Sequence, residues 1–415
     1  MAGMSTRQDP PGTEAPFSLR AIAVPAFGPT VLAALGQGAV LPVVALRARE
    51  LGASVGVAAF MVGLVGIGQL CAALPAGAVV SRIGETRALM AAAGVEAVAM
   101  VAGMLAPNLW VFALASFVVG TESAVFNLAR QAYLTDAVPL AMRARALSTL
   151  GGVNRIGLFF GPFLGAGAVH LGGIAAAYAV AACGALAALL LLALGPDLTA
   201  HHEAAAVTRS GASVWSVLRD HRRTLLTLGP GVLAIACSRA CRTAVLPLWA
   251  QHIGISASQT ALVFGIAGAV DMLLFYPAGI VMDRFGRTWV AVPTVVVIGA
   301  GMVLLTLTHE IVPLTAVAML LGLGNGIGSG IVMTLGADAS PAEARPQFLG
   351  GWRLFADLGS AAGPMAVSAV TLVAPLALAI AGVGVLSILG GGWLAYWVPR
   401  FDPASRLRDS GRPAG

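Results

Sequence analysis

Eight charged residues lie more than one turn inside long apolar stretches of this chain: Glu96, Glu122, Asp271 and Asp357 against Arg155, Arg239, Arg242 and Arg353. In hydrocarbon each central charge costs about 2.5 to 3.5 kcal/mol on insertion scales, so four acids and four bases predict pairing. A carboxyl in such a place can take up and release a proton as water gains and loses access to it, and a neighbouring guanidinium sets the balance. A guanidinium can also clamp a carboxylate or phosphate with two hydrogen bonds. Counted inward from the ends of their stretches, Glu122 and Arg155 reach mid-membrane on consecutive antiparallel helices, and so do Arg239 and Asp271. These four are the proton-coupling candidates. Arg353 and Asp357 stand one turn apart on one face, where an intrahelical contact is expected. Gln37, Phe126, Asn127, Asn154, Arg242, Asn325, Trp352 and Asp357 are the candidates for lining a substrate cavity, with Phe264 and Phe275 as apolar surfaces.

The elements that must position these groups follow from composition. Of 415 residues, 58% are hydrophobic and only 10% charged, against roughly 25% charged in a soluble domain, which makes this a membrane protein. A spanning helix needs about 20 mostly apolar residues. Twelve runs qualify, near 21–46, 55–80, 88–106, 110–132, 146–169, 174–194, 224–250, 257–282, 288–308, 313–335, 348–370 and 375–398. The first twenty residues are polar and precede a run too long for a secretory leader, so the first span is expected to be retained. All 24 basic residues are arginine; seventeen fall in one set of loops and tails, and only Arg47 and Arg49 in the other. Arginine-rich short loops stay cytoplasmic, which predicts both termini inside a plasma membrane. The expected divisions are a six-helix bundle over 1–195, a cytoplasmic linker over 196–223, a second six-helix bundle over 224–399 and a cytoplasmic tail over 400–415.

Sliding the halves by 202 residues aligns them without a gap. Pro75-Ala76-Gly77 falls on Pro277-Ala278-Gly279, Arg82 on Arg284, Gly84 on Gly286, Asp136, Pro139 and Arg143 on Asp338, Pro341 and Arg345, and Gly157, Gly161 and Pro162 on Gly359, Gly363 and Pro364. Coincident arginines and an aspartate argue against chance in a glycine-rich chain. A parallel duplication of six spans is the plan of carriers that rock two bundles about a site at the bilayer midplane.

With these residues in view the chain resembles the major facilitator superfamily over nearly its whole length. The family's Gly-x-x-x-Asp-Arg-x-Gly-Arg loop signature appears as Gly279, Asp283, Arg284, Gly286 and Arg287, while the first-half loop keeps Gly77, Arg82 and Gly84 but has Ser81 and Glu85 in place of the aspartate and last arginine. Physically, Asp283 could accept hydrogen bonds from a helix amino terminus or an arginine across the inner interface, a gate that favours the outward-open state. The fifth span carries Gly157, Gly161, Pro162 and Gly165 in the Gly-x-x-x-Gly-Pro-x-x-Gly spacing, which resembles the signature of the twelve-span drug:proton antiporters. That resemblance implies export. Read without the family, the stripe says only that two helices cross closely. The fourth span lacks the exporters' Arg-x-x-Gln-Gly pattern, so their proton route does not transfer. Glu96 lies in a span that usually packs outside the cavity in this family, and is expected to be a structural or interfacial acid.

Other classes fall away or stay open on specific grounds. Without lysine no Gly-x-x-x-x-Gly-Lys phosphate loop exists, and no nucleophile–base pair or HExxH helix points to an enzyme. Cys71, Cys183, Cys237 and Cys241 have no disulfide or zinc spacing; no metal or other cofactor is expected, and no nucleic acid. The expectation is an all-α secondary transporter with twelve transmembrane helices in two pseudo-symmetric bundles. It is a monomer in lipid, driven by the proton gradient, that exports small, largely apolar compounds. Two alternatives stay open: an importer or exchanger of a small organic anion held by the intramembrane arginines, and a non-transporting receptor on the same bundle.

Overall fold

The computed structural model describes residues 23–73, 75–138, 143–195, 214–341 and 345–401. No strand occurs among them, as expected where the surrounding hydrocarbon offers backbone groups no hydrogen-bond partners and each helix must satisfy its own. In chain order the helices are α1 (Ala23–Val40), α2 (Val44–Glu50), α3 (Val55–Ala72), α4 (Pro75–Ile83), α5 (Glu85–Leu105), α6 (Leu109–Ala137), α7 (Arg143–Gly172), α8 (Ile174–Leu194), α9 (Val214–Asp220), α10 (Arg222–His252), α11 (Ala257–Phe285), α12 (Thr288–Leu305), α13 (Ile311–Ile327), α14 (Ile331–Ala339), α15 (Arg345–Val370) and α16 (Leu376–Phe401). Each of the twelve expected runs falls on one helical unit, with α1/α2, α3/α4 and α13/α14 as broken units and α9 an addition within the connection between halves.

Nine of the described units are long and apolar enough to cross a membrane, ten when α1 and α2, bent by 46°, count as one span. The remaining two, α7 and α15, have the length at 30 and 26 residues but not the hydropathy. The reason is functional in form: α7 carries Asn154 and Arg155, and α15 carries Arg353 and Asp357.

The duplication read from sequence is also a duplication of packing. In the first half α1 packs on α7 and α8, α5 on α6 and α8, and α3 on α6; in the second, α10 packs on α15 and α16, α12 on α13 and α16, and α11 on α13. Two seams join the halves, α3 against α15 and α7 against α11, each the counterpart of the other. Local signals repeat at the same offset of 202 residues. Ser54 and Ser256 both cap the following helix, onto Val57 N (3.2 Å) and Gln259 N (3.3 Å), caps of about 1 kcal/mol each. Gly84 and Gly286 take φ of +83° and +102°, a conformation that side chains with a Cβ rarely adopt. Arg49 donates to Gln251 Oε1 at 3.3 Å, so a residue touches its own repeat counterpart on the pseudo-twofold axis.

The glycine stripe on α7 packs within its own bundle. A Cβ added at Gly161 would stand 2.5 Å from the Leu35 carbonyl oxygen of α1, one at Gly157 2.8 Å from that of Val31, and one at Gly165 2.6 Å from that of Ala39. Gly359 and Gly363 of α15 repeat the device on α10, at 2.5 Å from Leu233 O and 2.6 Å from Cys237 O. Because backbone atoms cannot move aside as a flexible side chain can, Gly161→Ala is expected to cost about 1 to 3 kcal/mol. Gly151→Ala, where a Cβ meets nothing within 4 Å, is expected to be neutral. Thermal unfolding of the two variants in detergent checks the contrast.

Candidate functional site

A cavity of about 390 Å³ lies between the bundles, walled by Leu41, Asn154, Arg155, Leu158, Phe159 and Pro162 from the first and by Arg239, Arg242, Phe264, Asp271, Met272 and Asn325 from the second. A lobe of about 330 Å³ continues into the second bundle past Arg239, Arg242, Asn325 and Ser360. On the face that carries Arg47 and Arg49 the bundles touch. Gly66 meets Ala361, Gly56 meets Thr371, Phe163 fills the space over Gly265, and Ser258 donates to the Ala166 carbonyl at 3.0 Å. Toward the arginine-rich face, Gly151 on α7 and Gly350 on α15 look onto open space, and Gly151 lines the mouth of the cavity.

Arg155, Asp271, Asn325 and Arg239 form one network at the centre. Arg155 of α7 pairs with Asp271 of α11 at 3.6 Å, across the bundle seam, and its guanidinium lies over the Phe275 ring at 4.4 Å. Asn325 of α13 donates to Asp271 Oδ2 at 2.5 Å, while its own carbonyl accepts from Arg239 Nη2 at 3.0 Å. Arg239 therefore reaches Asp271 through Asn325. Arg242, half-buried on the cavity wall, makes no hydrogen bond or ion pair among the described residues. Arg130 of α6 donates to Asn154 Oδ1 at 2.8 Å and faces Arg353 across the seam. Arg353 keeps Asp357 at 3.6 Å on its own helix, the intrahelical contact expected from their spacing.

Several expectations are corrected. Arg155 belongs to Asp271, not to Glu122, and Arg239 meets Asp271 only by way of Asn325. Both expectations rest on consecutive helices being neighbours, whereas α6 packs on α3 and α5 and barely touches α7, and α10 packs on α15 and α16 rather than α11. Gln37 turns toward Glu96 instead of the cavity. Phe126 is 3% exposed in a core with Leu89 and Tyr133, and Asn127 is not among the cavity residues. Trp352 is buried against Phe348 and donates to the Val332 carbonyl at 2.8 Å, a core role in the second bundle. Asp357 faces Arg353 rather than the cavity lining. Of the two places expected for Glu96, structural or interfacial, its 1% exposure inside the first bundle leaves the structural one.

The loop after α11 also differs from expectation. Asp283 is 81% exposed and, among the described residues, meets only Arg287, at 3.9 Å. Asp338 of α14 holds Arg287 Nε at 2.8 Å, and the same guanidinium donates to the Met282 carbonyl at 3.1 Å. Among the described residues Asp283 has no partner across the seam. Gly77 and Gly279 are uncrowded, Arg82 is exposed, and Arg284 lies 5.6 Å from the Phe285 ring. The counterpart side chains Asp136, Arg143 and Arg345, with Pro139, lie outside the described residues, as do His201 and His202 of the linker and the tail beyond 401.

Arg130 is the residue that sequence reasoning missed. Seventeen arginines assigned to one face, two to the other and four to the spans leave one of the 24 unplaced, and that remainder is Arg130, one turn beyond Asn127.

A sequence profile of the Major Facilitator Superfamily matches residues 27–241 and 228–414. Two uncharacterized MFS-type transporters of Mycobacterium tuberculosis, one from strain CDC 1551 / Oshkosh and one from H37Rv, are each 26% identical over 364 residues, covering 82% of this chain and 83% of theirs. Among solved structures, a POT family transporter in complex with a thioalcohol-conjugated peptide superimposes with a TM-score of 0.77 at 11% identity, over 92% of this chain and 96% of that one. A bacterial homolog of the human lysosomal transporter Spinster, inward-facing and unoccupied, gives 0.72 at 14% over 95% and 98%. A D-xylose-proton symporter gives 0.69 at 16% over 92% and 98%. At these identities the structures share a fold.

Proposed function

The chain belongs to the major facilitator superfamily and is a transporter, and on that premise we propose that it carries small organic anions with an apolar body by alternating access. All twelve helical units cross the plasma membrane in this reading, with both termini and the arginine-rich face in the cytoplasm, and a monomer suffices. The observation that carries it is the charge balance of the central cavity. Arg155, Arg239 and Arg242 line it together with one carboxylate, Asp271, which is ion-paired to Arg155, and Arg242 makes no hydrogen bond or ion pair among the described residues. A buried guanidinium without a partner is costly, and a carboxylate or phosphate entering the cavity removes that cost with bidentate hydrogen bonds. Leu41, Leu158, Phe159, Phe264 and Met272 supply the surface for an apolar body, and a volume of about 390 Å³ falls in the range of small-molecule sites.

The mechanism follows from which bundle each group belongs to. Arg155 comes from the first bundle, and Asp271, Asn325, Arg239 and Arg242 from the second. The Arg155–Asp271 pair is thus a tie across the seam. An anion seated on Arg242 and Arg239 competes with Asp271 for Arg155, loosens the tie and lets the bundles rock; a ligand can shift such an equilibrium only through differential contacts of this kind.

Proton-coupled export of largely apolar compounds is the second reading, favoured by the same five apolar wall residues and by the Gly157–Gly165 stripe. Reconstituted protein separates the two. Phthalate, inorganic phosphate, a neutral sugar and a lipophilic cationic dye are compared by calorimetric binding and by flux in liposomes. Binding and flux of phthalate with no response to the dye is the expected result. Dye transport driven by a proton gradient, with no anion bound, overturns the anion reading, and anion binding without flux turns it into a receptor.

A further inference from the structure

Away from the arginine cavity, two carboxyls are sealed in the first bundle. Glu96 on α5 is 1% exposed and Glu122 on α6 is 4% exposed. Both oxygens of Glu96 and Oε2 of Glu122 lack a hydrogen-bond partner, while Glu122 Oε1 accepts from Ser123 Oγ at 3.0 Å. The two acids lie close enough for their charges to act on one another. Gln37 of α1 reaches toward Glu96 without closing a hydrogen bond.

No cation balances them among the described residues, and neither acid makes an ion pair there. The charged and titratable groups on the neighbouring elements point elsewhere. Cys71 of α3, Arg82 of α4, His170 of α7 and Cys183 of α8 are exposed. Arg155 of α7 faces Asp271, and Tyr178 of α8 faces Arg47 and Glu50. On α5 and α6 themselves, Glu85 and Arg87 stand two turns or more from Glu96, Tyr133 lies three turns from Glu122, and Arg130 is bonded to Asn154. The side chains of Asp136, Arg143 and Arg145 lie outside the described residues. Two carboxylates in a dry core, on the packed helices α5 and α6 and with no counter-ion among the described residues, cannot both stay ionised.

We propose that Glu96 and Glu122 hold one proton between them, forming a proton-carrying site inside the first bundle that is separate from the anion cavity. The proton enters from water on one face and leaves to water on the other as the bundle rocks. Gln37 is the link between the two sites. Its neighbour Gly38 packs on Leu158 and Gly161 of α7, and Leu158 lines the cavity, so α1 turns Gln37 toward Glu96 on one side and meets the back of the cavity wall on another. Movement of α1 over an occupied cavity changes what Glu96 faces. A pair that titrates as a unit has macroscopic pKa values belonging to both residues, so the two acids are tested together and singly.

Infrared spectroscopy of the purified protein in nanodiscs tests the site without any substrate. The wild type is expected to keep the C=O stretch of a buried protonated carboxyl through neutral pH, a band that each of Glu96→Gln and Glu122→Gln alters and that the double variant loses. A wild-type spectrum without that band, or a band that survives in the double variant, overturns the proposal. A transport arm rests on the anion reading: in liposomes with an imposed pH gradient the wild type accumulates phthalate, whereas the double variant only exchanges internal for external phthalate. Retained gradient-driven accumulation in the double variant overturns the coupling role. Absence of any phthalate flux in the wild type counts against the anion reading alone, since the infrared arm still decides whether the acids hold a proton.

Discussion

Arg242→Gln is expected to lower kcat/KM for phthalate uptake by about 100-fold while leaving thermal stability unchanged or raised. The fold-change corresponds to about 3 kcal/mol, the upper part of the range for a hydrogen-bonded charged group. Stability behaves differently because Arg242 has no partner to orphan: nothing among the described residues is bonded to it. Arg155→Gln is the informative contrast, since it strips Asp271 of its ion pair and leaves that carboxylate with Asn325 as its hydrogen-bond donor among the described residues. Breaking one partner of a buried pair is destabilising even where the pair adds little net stability. Arg242→Lys keeps a positive charge but not the planar two-donor fork, so it is expected to recover only part of the lost affinity. Initial-rate uptake and unfolding temperature on the same three variants check the pattern. If Arg242→Gln transports phthalate like the wild type, the unpaired guanidinium is not where the substrate binds.

What could be read from sequence and what could not divides along a physical line. The helical units, their order and the duplication were legible because hydrophobic length and a gapless offset of 202 residues are properties of the chain itself. The intramembrane charges were legible too, because each is expensive wherever it lies. Partners were not. Pairing Glu122 with Arg155 assumes that α6 and α7 are adjacent, and the fold places α3 and α5 against α6 instead. Gln37 and Phe126 have the polar and aromatic character expected of cavity residues, yet a rotation about the helix axis of less than half a turn separates the cavity wall from the bundle core. Arg130 was hidden for a different reason, lying where a run ends and a loop could begin. The glycines show the same divide. Their spacing at 157, 161 and 165 advertises a close crossing, and the crossing exists, but only the structure shows that it is made to α1 within one bundle.

The glycines that seal the two bundles against each other carry no motif, and among them Gly66 is the one whose replacement should stop transport outright. A Cβ at Gly66 would stand 2.8 Å from both the Cα and the backbone nitrogen of Ala361, on the seam between α3 and α15. Gly66→Leu cannot be accommodated by turning a side chain aside, because the obstacle is backbone. Within one bundle such a clash mainly costs stability, whereas on a seam the bundles relieve it by separating. The variant is therefore expected to fold, with that face held apart and the other bundle interface favoured. Alternating access requires both faces to close in turn, so exchange of phthalate is expected to fall by about 100-fold or more, as a bias of about 3 kcal/mol against one state implies. Gly63→Ala provides the scale, since its added Cβ would lie 3.3 Å from Met365 Cγ, a side-chain atom that can yield. Thiol labelling of a cysteine placed at Ser258 on the second seam, where it is nearly isosteric with the serine that meets Ala166, in a background with Cys71, Cys183, Cys237 and Cys241 replaced, reads the opening directly: faster labelling in Gly66→Leu supports a rigid-body rock of two bundles. Unchanged labelling with lost transport assigns the defect to local distortion of α3 instead.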